Sequence, residues 1–408
     1  MIAIINGKVL TITKGTIEKG TVLIDKGKIK EVGPADKVKV PRGAEVVDAA
    51  GKWVLPGLID AHSHLSLFGE PSVWATSDGN EVTSPNTAQL RGIDALNPDD
   101  VAIKDVVAAG VTAVYTGPGS ANIIGGTGMV IKLRGRIAEE MLIPGTEGMK
   151  MALGENPKRV YGEGKKQTPA TRMGNAAVLR DALVAARNYL DKIARAEAEA
   201  KAEAVAKKEN KPAKLPDRDL KLEALGKVLR REMKARIHCH RADDIMTAIR
   251  VAEEFKLDYV IEHCTEGYKI ADILAKKKVR ATIGPLLMSR GKMELEDVTL
   301  KNPGVLAKAG VKVAIQCDTS SNTKWLALHA GLAVREGMPE AEAFRAITIN
   351  PAEILGVADR MGSLEPGKDA DVAIFSGHPF NTYTKCEKVF IDGERVFELT
   401  DPLPTARC

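Results

Sequence analysis

Two histidines near the start of the chain are spaced so that both could bind one metal ion. His62 and His64 follow an apolar run, residues 53–59, that indicates a buried strand. Side chains alternate between the two faces of a strand, so residues two apart point the same way and their Cα atoms lie about 6.6 Å apart. Two imidazoles placed in this way can converge on a metal. The pair alone is a weak signal, so its value depends on whether other ligands reach the same place.

Matching candidates occur at the ends of later strands. They are His238 and His240 at the end of residues 235–240, His263 at the end of residues 258–263, and Asp318 directly after residues 312–317. Five of the seven histidines in the chain therefore fall at three predicted strand ends. A carboxylate that follows a buried strand needs a partner, and a metal ion would supply one. Imidazole and carboxylate ligands suit zinc, and also iron, manganese or nickel, so we expect a divalent metal and most simply zinc.

The segments that must position these side chains alternate between strand and helix patterns. The eight strand candidates are residues 54–60, 111–116, 129–133, 148–153, 235–240, 258–263, 279–283 and 312–317. Nearly continuous apolar strands separated by helices favour a parallel sheet that is covered on both faces. Eight such units over roughly 300 residues predict an α/β fold, a (β/α)8 or TIM barrel, with its active site at the carboxyl ends of the strands. The connection 134–147 looks too short for a full helix, which leaves the strand count open.

The two ends of the chain share a different pattern, in which short strands alternate with glycine-containing turns. We expect residues 1–53 and 360–408 to build one small β-sandwich domain, and residues 54–359 to form the metal-dependent catalytic barrel. This organisation joins segments that are far apart in the sequence into one domain.

A charged helical insertion at about residues 176–234 interrupts the predicted barrel. It is made largely of alanine, glutamate and lysine, which are strong helix formers. We interpret it as a long solvated hairpin that is broken at Lys211-Pro212 and Leu215-Pro216. An oligomer contact or a lid over the active site is the alternative.

Composition excludes several classes of function. The net charge of +5 over 408 residues is small and lies in mixed runs of lysine and glutamate, so nucleic-acid or membrane binding has no support. No secretory signal and no run of about 18 apolar residues is visible, which favours a cytoplasmic protein. Five cysteines without framework spacing indicate reduced thiols. Cys239, Cys264 and Cys317 each adjoin a candidate ligand, so alternation points them outward as buried hydrophobic side chains. We expect a small-molecule substrate and a homo-oligomer.

Three long motifs resemble those of one enzyme superfamily. They read Val-Leu-Pro-Gly-Leu-Ile-Asp-Ala-His-Ser-His at 54–64, Ala-Ile-Thr-Ile-Asn-Pro-Ala-Glu-Ile-Leu-Gly at 346–356, and Gly-Ser-Leu-Glu-Pro-Gly-Lys-Asp-Ala-Asp-Val at 362–372. With these motifs the chain resembles the amidohydrolase superfamily of metal-dependent hydrolases, in the branch related to imidazolonepropionases and metal-dependent dipeptidases. The resemblance covers nearly the whole length, including the β domain built from both chain ends.

The resemblance implies roles for the candidate ligands. His62 and His64 would bind one metal ion, and His238 and His263 would bind a second. Asp318 would contact the first metal and act as the general acid/base.

The ligand between the two metals has more than one candidate. In many members of the superfamily a carboxylated lysine on the fourth strand joins the metals, and Lys150 fits that position. Glu155, at the end of the same segment, is an alternative ligand, and Lys132 is a third choice. A site with a single metal is also open.

Other residues could bind the substrate. His240 shares a strand face with His238, so it would bind substrate, take the place of His238 as a ligand, or have a purely structural role. Predicted loops at the barrel mouth carry further residues that could bind a substrate carboxylate, namely Asn156, Lys158, Arg159 and Arg241.

The reaction that the resemblance implies is hydrolysis of a C–N bond in an amide, a cyclic amide or a dipeptide. Metal-activated hydroxide would attack the carbonyl, and Asp318 would move the proton to the leaving nitrogen. One alternative is a heterocycle deaminase of the same superfamily. Such deaminases often carry His-x-x-Glu on the fifth strand, whereas His238 is followed by Arg241 at that place. A scaffold without metal is a further alternative, but the ligand set here is complete.

Overall fold

The computed structural model describes residues 1–207 and 213–400, and the two ends of the chain meet in one sheet. Its strands are β1 (Ile2–Leu10), β2 (Thr16–Asp25), β3 (Lys28–Pro34), β4 (Glu45–Asp48), β5 (Trp53–Pro56), β14 (Val372–Phe375), β15 (Cys386–Ile391) and β16 (Glu394–Glu398). The order is β16-β15-β14-β5-β1-β2-β3, with β4 also paired to β1. Val22 and Ile29 from the start of the chain pack in one core with Val372 and Phe390 from its end. The predicted β unit from both chain ends is confirmed.

A second sheet of eight strands forms a nearly closed barrel. In sheet order these are β6 (Leu58–Ser63), β7 (Val111–Thr116), β8 (Ile124–Lys132), β9 (Gly148–Ala152), β10 (Lys234–Cys239), β11 (Tyr259–His263), β12 (Arg280–Ile283) and β13 (Lys312–Ile315). A parallel bridge between Ser63 and Asp318 brings the two ends of this sheet together. The barrel predicted from the sequence is confirmed, and its first and last strands are neighbours.

The third barrel strand departs from the predicted parallel arrangement. β8 runs antiparallel to both β7 and β9, and it is longer than the predicted segment 129–133. Antiparallel neighbours need no crossover helix, which explains the short connection 134–147. Because β8 ends at the opposite side of the barrel, Lys132 Nζ lies 2.8 Å from Asp369 and 3.1 Å from Asp371. Lys132 therefore joins the barrel to the β domain, and its choice as a metal ligand is wrong.

The first predicted strand, residues 54–60, is divided between the two sheets. β5 pairs with β1 and β14, whereas β6 pairs with β7. The change of sheet falls at Gly57, where a Cβ atom would lie 2.1 Å from Thr112 Oγ1. Only glycine, which has no Cβ atom, allows these two segments of the backbone to approach so closely.

Helices cover the outside of the barrel and form the insertion. They are α1 (Val101–Ala108), α2 (Ala138–Met141), α3 (Glu155–Lys158), α4 (Arg172–Lys207), α5 (Leu220–Leu229), α6 (Ala242–Glu254), α7 (Ala271–Lys276), α8 (Asn302–Lys308), α9 (Leu326–Arg335), α10 (Glu340–Ala346) and α11 (Ile349–Leu355). On α6 the buried residues Ile245, Ala248, Ile249 and Ala252 follow the period of a helix with one apolar face. Within the described ranges, no helix is both long and apolar enough to cross a membrane.

The insertion is helical where the structure describes it. α4 has 36 residues and packs against α5. Leu179, Leu183 and Ala186 bury one face of its first half, and the described side chains after Tyr189 are not fully buried. The predicted break at Leu215-Pro216 lies between the two helices, and the predicted break at Lys211-Pro212 lies outside the described residues.

Candidate metal centre

Three predicted ligands meet where the first and last barrel strands come together. His62 Nε2 lies 3.2 Å and His64 Nε2 lies 3.4 Å from Asp318 Oδ1. His62 is on β6 and His64 directly follows its last residue, and both point into the barrel mouth, as the two-residue spacing predicted. Asp318 follows β13 and keeps 26% of its side-chain surface exposed. The three donor atoms lie within 4.8 Å of one another, close enough to hold one ion.

A second group of three histidines adjoins the first. His238 lies on β10, His240 directly follows that strand, and His263 ends β11. Their ring centroids are 4.4–4.7 Å apart. One nitrogen of each lies within 4.8 Å of the others, so this trio could also hold an ion. His263 Nε2 is 3.8 Å from Asp318 Oδ1, which makes the two groups adjacent.

The second ring nitrogen of several histidines has a fixed partner. Nδ1 of His64 contacts the carbonyl oxygen of Gly117 at 2.7 Å, and Nδ1 of His263 contacts that of Gly284 at 2.8 Å. His62 Nδ1 lies 2.6 Å from Glu262 Oε2. These partners hold the proton on Nδ1, so the Nε2 lone pairs face the centre. Metal-binding histidines in proteins are oriented in this manner.

Glu262 was not found by the sequence analysis. Its carboxylate is fully buried, pairs with Arg236 Nη2 at 2.7 Å and accepts a hydrogen bond from Thr282 Oγ1 at 2.5 Å. The Arg236 guanidinium in turn lies 3.8 Å from the ring centroid of Tyr115. Glu262 directly precedes His263, so strand alternation would send one of the two outward, and this is why the pair was missed.

Left-handed backbone at two strand ends breaks that alternation. His263 has φ 65° and Asp318 has φ 68°, which is a costly conformation for residues other than glycine. Because the backbone turns there, Glu262 faces the barrel interior while the next residue also points at the metal centre. The strain therefore lies at residues that the candidate site uses.

A second buried carboxylate that the sequence analysis missed joins the first and last strands. Asp60 accepts hydrogen bonds from the backbone N–H groups of His62 at 3.0 Å and Cys317 at 3.1 Å. Burial raises the pKa of Asp60 to about 7, although these two hydrogen bonds oppose the shift. Asp60 thus fixes the segments that carry His62 and Asp318. Its position directly before the two histidines was the available signal.

Burial sets the charge of the ligand side chains. Burial lowers the pKa values of His64, His238 and His240, and it lowers the pKa of His263 to about 3. These imidazoles are therefore neutral near pH 7, the form that binds metals. Burial alone would raise the pKa of Asp318, but the adjacent histidines outweigh it and hold that pKa well below its ordinary value.

The structure separates the two candidates for the bridging ligand. Lys150 on β9 is buried, and its Nζ lies 3.5 Å from His62 Nε2. Burial lowers the pKa of Lys150 to about 8. Glu155 lies farther along the chain, where its carboxylate accepts a hydrogen bond from the backbone N–H of Glu294 at 3.3 Å. Lys150 is thus brought to the histidines and Glu155 is not.

A cavity of about 440 Å³ opens from the metal centre to the surface. It is lined by His64, Phe68, Gly69, Glu70, Ser72, Asn80, Gly119, Ser120, Asn156, His238, His240, His263, Met288, Lys292, Asp318, Thr319, Ser320 and Ser321. Many of these side chains carry hydroxyl or amide groups, so the cavity suits a small polar molecule.

The candidates for substrate binding divide into two groups. Asn156 and His240 line the cavity, and the Asn156 amide donates to Ser120 Oγ at 2.9 Å. Arg241 instead forms a bidentate ion pair with Asp243, and Arg159 is exposed. Neither arginine lines the cavity.

Lys292 also lines the cavity and was not found by the sequence analysis. It lies in the long segment after β12, where no spacing or motif marks it, so folding alone brings it to the site.

The three cysteines beside the ligands do not join the metal centre. Cys239, Cys264 and Cys317 are free thiols, and all three lie in the hydrophobic core. Burial raises the pKa of Cys264 to about 12 and moves the pKa values of the other two in the same direction. The prediction that they are buried hydrophobic side chains is confirmed.

Comparison with known proteins agrees with this geometry. A model described as "Amidohydrolase family" matches residues 53–396. The chain belongs to the amidohydrolase family. The superfamily resemblance seen in the sequence is thereby confirmed, and a hydrolytic function of the amidohydrolase type follows.

Individual amidohydrolases resemble the chain over most of its length. The crystal structure of an amidohydrolase from Thermotoga maritima MSB8 has 46% sequence identity and a TM-score of 0.89, covering 98% of this chain and 100% of that one. An imidazolonepropionase from Maricaulis maris is 27% identical over 380 residues, 88% of each chain. "Amidohydrolase tasK" from Hapsidospora irregularis is 29% identical over 416 residues, 94% of this chain, but this chain spans only 40% of that protein.

Proposed function

We propose that the protein is a metal-dependent hydrolase that cleaves a C–N bond in an amide, a cyclic amide or a dipeptide. One observation carries this proposal: the Nε2 atoms of His62 and His64 both lie within 3.4 Å of Asp318 Oδ1, and the trio of histidines adjoins them. One or two divalent ions would be bound, most simply zinc. The family relationship supports hydrolysis. The proposal adds that the bond cleaved is a C–N bond and that the reaction depends on a metal.

The residues present fit a metal in two respects. First, the donor set consists of imidazole nitrogens and a carboxylate oxygen, which suit zinc and its neighbours in the first transition series. Second, the Nδ1 atoms of His62, His64 and His263 are already taken by oxygen partners, so their Nε2 atoms are available to an ion. We assign His62, His64 and Asp318 to one metal, and His238 and His263 to a second.

His240 is better explained as a substrate-binding residue than as a ligand. Its Nδ1 lies 2.8 Å from Thr265 Oγ1, and its Nε2 lies 3.2 Å from Lys292 Nζ. An ammonium group can only donate, so Lys292 engages the Nε2 lone pair of His240, and it does so more closely than the Asn156 amide approaches His238 Nε2 at 3.4 Å. This leaves His238 and His263 as the pair for the second metal. Lys150, in its carboxylated form, would lie between the two metals.

The chemistry divides between the metal and Asp318. A divalent metal bound here would lower the pKa of its water toward about 7 and would polarise a substrate carbonyl. Asp318 is ionised and faces the cavity, so it can accept the proton of the water that attacks the carbonyl carbon. As the new C–O bond forms and the C–N bond breaks, Asp318 passes that proton to the leaving nitrogen.

The deaminase alternative lacks its acidic group in the cavity. Arg241 occupies the position of the glutamate three residues after His238, and Asp243, three residues after His240, is paired with Arg241 outside the cavity. Neither His-x-x-acid arrangement therefore reaches the substrate space. A scaffold role without metal would also leave the convergence of five candidate ligands without a purpose.

A substrate screen with chelation tests this proposal. Dipeptides, N-acyl amino acids and cyclic imides are incubated with zinc-loaded protein, and products are quantified by mass spectrometry. We expect hydrolysis of at least one class, loss of turnover after treatment with a chelator, and recovery with zinc. Turnover that persists unchanged in metal-free protein would contradict metal dependence.

A further inference from the structure

We propose that Lys292 binds a carboxylate of the substrate, so that the preferred substrates are amides of amino acids with a free carboxyl group. This inference rests on the proposed function and narrows it to N-acyl amino acids and dipeptides. It starts from the charges around the cavity. Among the described residues that line it, Lys292 is the only lysine or arginine, and the acidic side chains are Glu70 and Asp318.

The Lys292 ammonium is held at the cavity wall by three acceptors. Its Nζ lies 2.6 Å from Glu294 Oε1, 3.0 Å from Asn156 Oδ1 and 3.2 Å from His240 Nε2. The side chain keeps 14% of its surface exposed, so it is fixed in place but still reaches the cavity. An ammonium group has three donors, and here two of them point at uncharged acceptors.

The partnership with Glu294 does not account for the whole arrangement. Glu294 is fully buried, and its other oxygen accepts the backbone N–H of Glu155 at 2.8 Å. One ion pair with Lys292 would suffice to neutralise it. The remaining donors of Lys292 instead face two residues of the cavity lining, Asn156 and His240. A carboxylate is a stronger acceptor for an ammonium than a neutral amide or imidazole, so it can replace either of them.

Neighbouring groups would complete a site for an anion. The Asn156 amide donates to Ser120 Oγ at 2.9 Å, and the Ser120 hydroxyl, whose own proton can be donated to an anion, lies on the same wall as Lys292. The cations expected from the sequence do not compete, because Arg241 is paired with Asp243 and Arg159 is exposed away from the cavity.

The position of Lys292 indicates where the carboxylate lies along the substrate. Lys292 contacts His240, whose ring centroid is 4.6 Å from that of His263, and His263 Nε2 is 3.8 Å from Asp318 Oδ1. Two imidazole rings therefore separate the cation from the acid/base group. In an amino acid whose nitrogen is acylated, the carboxylate lies a few bonds from the scissile amide. Such a substrate can therefore place its amide near Asp318 and its carboxylate at Lys292.

Matched substrate pairs test the proposal. Zinc-loaded wild type and Lys292→Met are compared on N-acyl amino acids and dipeptides, each as the free acid and as the C-terminal carboxamide. We expect wild type to prefer the acids. Lys292→Met should lower kcat/KM on the acids about 10- to 100-fold, the effect of losing one charge-assisted hydrogen bond, mainly through KM. Its activity on the carboxamides should change by less than about 3-fold.

Two further variants separate recognition from folding. Lys276→Met removes a lysine from the exposed end of α7 and should leave the acid-to-carboxamide ratio unchanged. Lys292→Met combined with Glu294→Gln removes the ion pair as a whole, so no charge stays buried alone, and it should show the same loss of preference for acids. An equal loss on acids and carboxamides in both Lys292 variants would overturn the proposal, as would a wild type without preference.

Binding measurements distinguish a failure of the Lys292 proposal from a failure of the proposed hydrolase function. If wild type hydrolyses neither member of any pair and no compound of the substrate screen described above, the hydrolase proposal fails. Calorimetric titration of the same acids and carboxamides into wild type and Lys292→Met then tests Lys292 alone. Tighter binding of acids to wild type by about 10-fold or more, lost in the variant, supports the anion site, and equal binding overturns it.

Discussion

Glu262 Oε2 lies 2.6 Å from His62 Nδ1, and both side chains are buried in the barrel. The interior of a TIM barrel is ordinarily filled by branched apolar residues. Here Glu262 and its ion-pair partner Arg236 replace them with opposite charges on neighbouring strands. A buried ion pair is weak evidence for stability, because desolvation offsets its attraction. Its contact with His62 points instead to a role in orienting a metal ligand.

The first prediction concerns this contact. Glu262→Gln should weaken metal binding about 10- to 100-fold, the range for loss of a partner that orients a metal-binding histidine. Because it also leaves the Arg236 charge unpaired, it should destabilise the fold by about 3–5 kcal/mol. Competition with a chromogenic chelator and chemical unfolding measure the two effects.

A double variant separates those effects. Glu262→Gln combined with Arg236→Met removes both charges, so stability should recover while metal affinity stays low. Metal affinity equal to wild type in the stable double variant would show that Glu262 does not orient His62.

The second prediction concerns the proposed proton carrier. Asp318→Asn keeps an oxygen donor at the same place but cannot accept a proton, so most of the metal should remain bound. Turnover should fall about 10²- to 10⁴-fold, the usual contribution of a general acid or base. Single-turnover rates and metal analysis of one preparation measure both. Wild-type turnover in the variant would exclude this role for Asp318.

The third prediction separates the two candidates for the bridging ligand. Lys150→Ala should lower the metal content, since Lys150 Nζ lies 3.5 Å from His62 Nε2. Glu155→Gln is the matched control and should leave the metal content unchanged, because the Glu155 carboxylate contacts the backbone of Glu294. The opposite result in elemental analysis would move the bridge to Glu155.

The fourth prediction concerns the pH dependence of stability. His329 is buried on α9, and burial lowers its pKa to about 4. The unfolded chain takes up this proton below pH about 6.5, but the folded protein does so only near pH 4. The contribution of His329 to the free energy of unfolding is therefore lost between those values, by about 3 kcal/mol.

Comparison with His329→Gln isolates that effect. All other groups titrate in both proteins, including Asp371, whose pKa burial raises to about 6 and whose contribution has the opposite sign. Between pH 6.5 and 4 the unfolding free energy of wild type should fall more steeply than that of the variant. Parallel curves would contradict the prediction.

Much of this site could be predicted because its ligands lie at or just after the ends of regular strands. His62 on β6 and His64 directly after it point the same way, and the barrel places the ends of β10, β11 and β13 beside them. Alternation and barrel geometry suffice for such residues. The same rules placed Cys239 and Cys317 outside the metal centre.

The missed residues depend on features that local patterns do not encode. Glu262 faces inward together with its neighbour because His263 has a left-handed backbone. The antiparallel direction of β8 is set by its pairing with the strands on either side of it in the chain, β7 and β9, and it removes Lys132 from the site. Lys292 lies in a segment without regular structure, so only the folded chain brings it to the cavity.

The metal content of the purified protein tests the central claim most directly. Wild type and a His62→Ala, His64→Ala double variant are prepared without chelators, supplied with zinc, desalted and examined by elemental mass spectrometry. We predict one to two equivalents of metal per chain in wild type, and a loss of at least one equivalent in the variant, which remains folded. Wild type that retains no metal, and that no metal activates, would contradict the account.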